Sequence, residues 1–303
     1  AEFGFGMQLA VDVRAARARD LLRAVAGRLP ARLVDELLAP GSGESWIASQ
    51  RARIDELGRL LASDASPEAR ATREAAASLV PRSVWIVGGD GWAYDIDYGG
   101  LDHVLASERK VNVLVLDTEV YSNTGGQKSK ATPLGAAAKF ATAGKATRKK
   151  DLGLLAMSYG HVYVAEVAMQ ARSAQTVEAF LEADRHPGPS LVIAHSPCIA
   201  HGYDLVRSPA QQKRAIDSGM WPLYRFDPSR IDRGEAPLVL DSGPSRIDVG
   251  AYMENEARFR MVQLRSPERY AALLEASRNA VVQRRALYEQ LAKIHLPQEK
   301  GHG

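Results

Sequence analysis

Residues 84–127 read VWIVGGDGWAYDIDYGGLDHVLASERKVNVLVLDTEVYSNTGGQ. Two apolar runs, 84–87 and 113–116, have the length and composition of buried strands. Each ends in a polar, turn-rich segment. The first is Gly88-Gly89-Asp90-Gly91; the second is Asp117-Thr118-Glu119-Val120-Tyr121-Ser122-Asn123-Thr124-Gly125-Gly126. Residues 98–109 between them are long enough for a helical crossover. The spacing predicts a βαβ unit, with parallel strands joined right-handedly. Ligands of such sheets sit beyond the carboxyl ends of the strands, so both polar segments should meet at one place.

The residue types at that place suit an anion held through a hard cation. Gly88, Gly89 and Gly91 let backbone N–H groups come close to an anion, because no Cβ blocks the approach. Asp90 is a hard carboxylate, Thr118 offers a hydroxyl, and Val120 can offer its carbonyl. Oxygen ligands with room for phosphate oxygens are what Mg²⁺ prefers, so a magnesium-bridged diphosphate is the natural occupant. A GDG turn alone is common and also fits an ordinary strand-to-helix connection. The second Gly- and Asn-bearing turn, after a second strand, favours the functional reading.

The rest of the chain frames this unit. It has 303 residues, 46% hydrophobic, enough for a sizeable core in one or two domains. No apolar run approaches the ~20 residues of a membrane span, and the start, AEFGFGMQLAV, is not a signal peptide. The first residue is Ala, not Met, so a fragment or processed product is expected. One cysteine excludes an intrachain disulfide and fits a reducing, cytoplasmic setting. A net charge of +3 is too small to imply nucleic acid.

Residues 1–80 are expected to be a helical lead-in. Leu9, Val13 and Ala16, then Leu22, Val25 and Leu29, then Ile54, Leu57 and Leu61 keep helical spacing as packing surface. Pro30 and Pro40-Gly41-Ser42-Gly43 separate helices, and residues 68–79 form another, begun after Pro67. The α/β core is placed at 81–205. Beyond the first two strands it contains a loop then helix over 129–146, a short helix over 151–159, a strand at 162–167, a helix at 173–185 and a strand at 190–195. That order predicts a doubly wound parallel sheet. Residues 206–303 are read as an extension. It holds a short helix at 211–218, short strands at 223–226 and 237–240, and a long amphipathic helix at 267–294 carrying Tyr270, Leu273, Leu274, Leu287 and Leu291. Residues 298–303 should be frayed.

The GDG turn, with an Asn some thirty residues on, resembles the thiamine-diphosphate-binding motif. More narrowly, GDGWAYDIDYGGLDHVLAS with LDTEVYSNTGGQ resembles the thiamine domain of pyruvate:ferredoxin (flavodoxin) oxidoreductases. The likeness continues through AKFATAGK, SYGHVYVAEVAM and SLVIAHSPCIAHG, and covers nearly the whole chain. It implies a thiamine-diphosphate-binding fold, with Asp90, Thr118 and the Val120 carbonyl holding Mg²⁺. Gly89, Asp90, Gly91 and Trp92, with Thr118, Glu119, Val120, Tyr121, Ser122 and Asn123, would line the diphosphate and thiazolium side, and Asn123 would reach the substrate. Cys198 would ligate a [4Fe–4S] cluster.

The implied activity is oxidative decarboxylation of pyruvate with coenzyme A to acetyl-CoA and carbon dioxide. Electrons would pass singly to iron–sulfur clusters and on to ferredoxin or flavodoxin. The resemblance also implies a homodimer, and partner domains carrying the glutamate that activates the thiamine ring and the other three cluster cysteines. The chain alone is therefore expected to be inactive. A binding module without chemistry of its own, and a non-oxidative thiamine decarboxylase or synthase, are the other readings; SPCIAHG argues against the last.

Duller explanations compete for several residues. His195, Cys198 and His201 could suggest zinc, but the spacing is not that of a structural site and only one sulfur is present. A lone buried thiol is the local default for Cys198. Lys145, Arg148, Lys149 and Lys150 could face an acidic electron carrier, yet a solvated helix end is the expectation. Asp95, Asp97 and Asp102 read as helix-start and surface charges.

Overall fold

The structure is a computed structural model that describes residues 1–297; the expected fraying of 298–303 lies outside them. Its contacts divide the chain into a unit formed by Phe3–Val84 and a second formed by Ala1–Glu2 with the chain from Trp85 onward.

The first unit is helical: α1 (Glu2–Ala24), α2 (Ala31–Leu38), α3 (Glu44–Leu60) and α4 (Pro67–Ala75), the last continuing as a tight turn over Ala76–Leu79. Its core joins Ala18 and Leu22 of the first helix, and Val25 just beyond it, to Leu29, Leu33, Leu37, Leu57, Leu61 and Leu79. The Leu9–Val13–Ala16 stripe corrects the expectation of a packing surface. Leu9 and Val13 are exposed, because the unit's core engages only the later half of α1. Gln50 is wholly buried, and its amide donates to the carbonyls of Leu37 (2.9 Å) and Leu79 (3.3 Å), tying α3 to the ends of its neighbours.

The second unit is built on a six-stranded sheet in the order β1-β2-β4-β3-β5-β6. The strands are β1 (Trp85–Gly89), β2 (Asn112–Asp117), β3 (Tyr163–Val167), β4 (Ser190–His195), β5 (Tyr224–Phe226) and β6 (Leu238–Leu240). The first four are mutually parallel; β5 and β6 add on antiparallel. The sheet is thus mixed, with both late strands drawn from the C-terminal extension.

Alternation along the strands sends apolar side chains to both faces. On one face α7 (Ser173–Arg185) sets Ala179 and Ala183 against Tyr163, Ala165, Val167 and Val192. On the other, Val113, Val115, Val164, Leu191 and Ile193 meet α5 (Tyr98–Leu105), α6 (Leu152–Met157), α8 (Ser208–Asp217), α9 (Val249–Met253), α10 (Ala257–Arg265) and α11 (Pro267–Leu291) within one core. In α11 the inward residues are Tyr270, Leu273, Ser277, Val281 and Tyr288; Leu287, expected on that face, is exposed. No helix among the described residues is long and apolar enough to cross a membrane.

The helix expected within 129–146 does not form. Pro133 lacks an N–H, and Gly135, Phe140 and Gly144 all have positive φ (88°, 65° and 83°). The segment is instead pinned by cross-bonds, among them Lys145 N to Ala136 O at 3.0 Å and Ala137 N to Arg258 O at 2.8 Å.

Candidate functional site

Strand register brings the two turns together. Gly89, the last residue of β1, lies opposite Leu116, so Asp90 emerges beside Asp117 and Thr118. In β4, His195 lies opposite Asp117, and the chain reaches Cys198 just beyond the same edge. The GDG segment is not a simple turn: residues Gly91–Ile96 wind as a wide helical turn closed by Asp97 N to Trp92 O at 3.0 Å. Such widened turns are frequent at functional sites. Two glycines here leave no room for a methyl group. A Cβ on Gly88 would come within 2.3 Å of the Trp92 ring, and one on Gly91 within 2.5 Å of the Tyr121 ring.

Asp90 is almost wholly buried. Its Oδ2 accepts from the Ser129 hydroxyl at 2.6 Å, and its Oδ1 lies 2.8 Å from the Thr118 hydroxyl. That hydroxyl is also 3.0 Å from the Val120 carbonyl. The carboxylate, the hydroxyl and the carbonyl are all hard oxygen donors of the kind a small divalent cation takes. Burial, with Asp117 nearby, pushes the Asp90 carboxyl up to about 7. The donor set therefore fits Mg²⁺, whose remaining positions phosphate oxygens and water can fill.

Glu119 does not face this opening. Its carboxylate turns inward to Lys149 (3.2 Å) and Arg258 (2.7 Å). Burial alone would raise its pKa, but those two cations hold it below the ordinary carboxylate range. Lys149 also donates to Asp117 Oδ2 at 2.7 Å, and Tyr94 donates to the same oxygen at 2.8 Å. Lys149 and Lys145 are thus not a solvated helix end. Lys149 balances buried carboxylates, and Lys145 donates to the carbonyls of Lys130 and Thr132. Arg148 is exposed and Lys150 half-buried.

Tyr121 to Gln127 closes as a tight loop through Tyr121 N to Gln127 O (2.9 Å) and Gly126 N to Tyr121 O (2.8 Å). It leaves Ser122, Asn123 and Thr124 exposed at its tip. Ser122 Oγ lies 3.2 Å from Cys198 Sγ, which joins this loop to the buried thiol. His201 is buried and neutral, its pKa lowered to about 3 by burial, and its Nε2 lies 2.8 Å from the Thr118 carbonyl. Among the described residues no group of three or more His, Cys, Asp or Glu side chains is placed to hold a metal. Nor does one thiol hold a [4Fe–4S] cluster by itself. Asp95 binds Lys130 (2.9 Å) and Asp97 accepts from the Trp92 indole (2.6 Å), consistent with structural roles. Ser129, Arg258, Tyr94 and His201 also support the site. Tyr94 and His201 lie within the GDGWAYD and SPCIAHG stretches, but no local motif marks Ser129 or Arg258, which only the tertiary fold brings here.

Residues 71–194 match the family model for the C-terminal TPP-binding domain of thiamine pyrophosphate enzymes. Over 99% of its length the chain is 54% identical to a pyruvate-flavodoxin oxidoreductase of Rhodospirillum rubrum. It is 45% identical, over its whole length, to a probable pyruvate-flavodoxin oxidoreductase of Escherichia coli. Over 97% of its length it is 44% identical to a pyruvate:ferredoxin oxidoreductase of Moorella thermoacetica. The chain belongs to this oxidoreductase family. It is the family's thiamine-diphosphate-binding domain, and it spans about a quarter of the length of these relatives, 25%, 25% and 26% respectively.

Proposed function

We propose that the chain binds Mg²⁺ and the diphosphate of thiamine diphosphate at the carboxyl ends of β1 and β2, as part of a larger pyruvate:ferredoxin or flavodoxin oxidoreductase. The observation that carries this reading is that the Thr118 hydroxyl lies both 2.8 Å from Asp90 Oδ1 and 3.0 Å from the Val120 carbonyl. Asp90, Thr118 and the Val120 carbonyl hold the metal. Gly89, Gly91 and Trp92 bring backbone N–H groups to the diphosphate. Tyr121, Ser122 and Asn123 face the reacting end, with Asn123 free to reach a 2-oxoacid because its loop tip is exposed. Thiamine diphosphate, when bound, supplies the electron sink for loss of carbon dioxide. Cys198 contributes one ligand to an iron–sulfur cluster whose other ligands come from elsewhere in the enzyme.

Pyruvate, coenzyme A, a ferredoxin or flavodoxin acceptor, a homodimeric assembly and a cytoplasmic setting come with this reading, supported by the relatives' names and the motif. A stand-alone binding module is the second reading, favoured by the single cysteine. Both predict cofactor binding. Titration calorimetry with Mg²⁺ and thiamine diphosphate tests it: Asp90→Ala should abolish binding, and unchanged affinity would overturn the assignment.

A further inference from the structure

Glu119 stands between the two backbone units that offer the Thr118 and Val120 oxygens, and its carboxylate points away from them. In an extended chain a side chain stands out of the sheet while carbonyls lie in its plane. The Thr118 hydroxyl and the Val120 carbonyl can therefore meet only if the backbone turns at 119. It does so with φ at 59°, a left-handed conformation that strains a residue bearing a Cβ. Such strain persists only where the surroundings over-determine it. Every polar group of Glu119 is engaged. Its N–H donates to Asp117 Oδ1 at 2.9 Å, and its carbonyl accepts from Thr132 at 2.7 Å. Its carboxylate takes Lys149 and Arg258. Arg258 is itself fixed, its Nε on Glu256 at 2.5 Å and its Nη2 beside the Tyr252 hydroxyl at 3.1 Å.

We propose that the buried Arg258–Glu119 pair, with Lys149, holds the backbone in its left-handed turn and so places the Thr118 and Val120 oxygens on the metal. Arg258, 139 residues away in sequence, is a positioning residue of the metal site. The inference rests on the reading of Asp90, Thr118 and Val120 as Mg²⁺ ligands. Glycine at 119 would remove the strain but also the tether, and the turn would no longer be held in one arrangement.

Manganese serves as the probe, with inorganic diphosphate present to complete its coordination. Affinity is measured by titration, and the hydration of bound Mn²⁺ by water-proton relaxation. Glu119→Gly keeps the φ accessible and leaves Arg258 on Glu256 and Lys149 on Asp117, so folding should survive. It should weaken Mn²⁺ binding at least tenfold and raise the relaxivity of the ion still bound, because water replaces a protein oxygen. Arg258→Gln should do the same, and Arg258→Lys should recover part of the loss. Folding is checked by thermal melting; if Arg258→Gln does not fold, Glu119→Gly decides. Wild-type affinity and relaxivity in folded Glu119→Gly, alongside lost binding in Asp90→Ala, would overturn the positioning role alone. Retained binding in Asp90→Ala would overturn the metal reading and this inference with it.

Discussion

Glu166 lies on β3 with its carboxyl buried, near Arg284, Asp151, Lys149 and Asp117, and burial pushes it up to about 8 from an ordinary 4.5. Between those values the native state holds a proton that the unfolded chain has lost. The contribution to stability is therefore complete below pH 4.5 and is lost as pH rises through about 8. Glu166→Gln should flatten this fall; Asp90 and Asp117, also raised, keep the rest of it. Urea midpoints of both proteins at pH 6 and pH 8.5 check this, and equal slopes would remove Glu166 from the account. Gly153 makes a second test at this scale. A Cβ there would meet the Tyr224 hydroxyl oxygen at 1.8 Å, with the next ring atom at 3.1 Å. Tyr224 is fully buried and cannot step aside. Gly153→Ala should cost about 1–3 kcal/mol, and Tyr224→Phe, which takes away the clashing oxygen, should recover much of that in the double variant. Additive costs in a melting cycle would refute the clash.

Local chemistry determined which elements could be read in advance. The parallel strands were legible because each is a short, largely apolar run next to turn formers: Gly88-Gly89 and Asp117 close the first two, Gly160 precedes the third, and Pro187-Gly188-Pro189 precedes the fourth. The structure moves the first from 84–87 to Trp85–Gly89 and the second from 113–116 to Asn112–Asp117. The helix expected within 129–146 fails because its alanines resemble a helix while its bonds go to distant partners, Arg258 among them. The three oxygens proposed for Mg²⁺, on Asp90, Thr118 and Val120, could be picked out in advance because they lie within two turns of recognisable type. The inward face of the site was not: Lys149 and Arg258 look like solvent charges until β2, α10 and the loop before α6 are packed together. In the helical unit the start of α4 was legible, since Pro67 follows Ser66. The Ser66 hydroxyl accepts from Ala69 N at 3.3 Å and from Arg28 at 2.6 Å. Ser66→Ala should therefore cost about 1 kcal/mol, read as a lower thermal midpoint, whereas Ser66→Asp should keep the cap. Equal midpoints for wild type and Ser66→Ala would show that the cap contributes nothing.

At the scale of the whole molecule, the two proposed ligand sets divide differently between this chain and the remainder of the longer proteins it matches. The proposed Mg²⁺ ligands and their supports, Asp90, Thr118, Val120, Ser129, Glu119 and Arg258, all fall in the unit beginning at Trp85. The ligands proposed for an iron–sulfur cluster do not: a [4Fe–4S] cluster is usually held by four cysteinates, and this sequence has one cysteine. Relatives of which the chain covers 25% have ample length for the remainder. The two functions should therefore separate in the purified 303-residue chain. Magnesium and diphosphate should bind, with Asp90→Ala removing the binding. Anaerobic treatment with iron and sulfide should leave no stable cluster absorbance and less than one cluster's iron per chain. Pyruvate with coenzyme A should then reduce no viologen, because electrons leaving the thiamine site have no cluster to enter. Viologen reduction by this chain alone would mean that electrons can leave without a cluster, and would remove the reason for reading Cys198 as a cluster ligand.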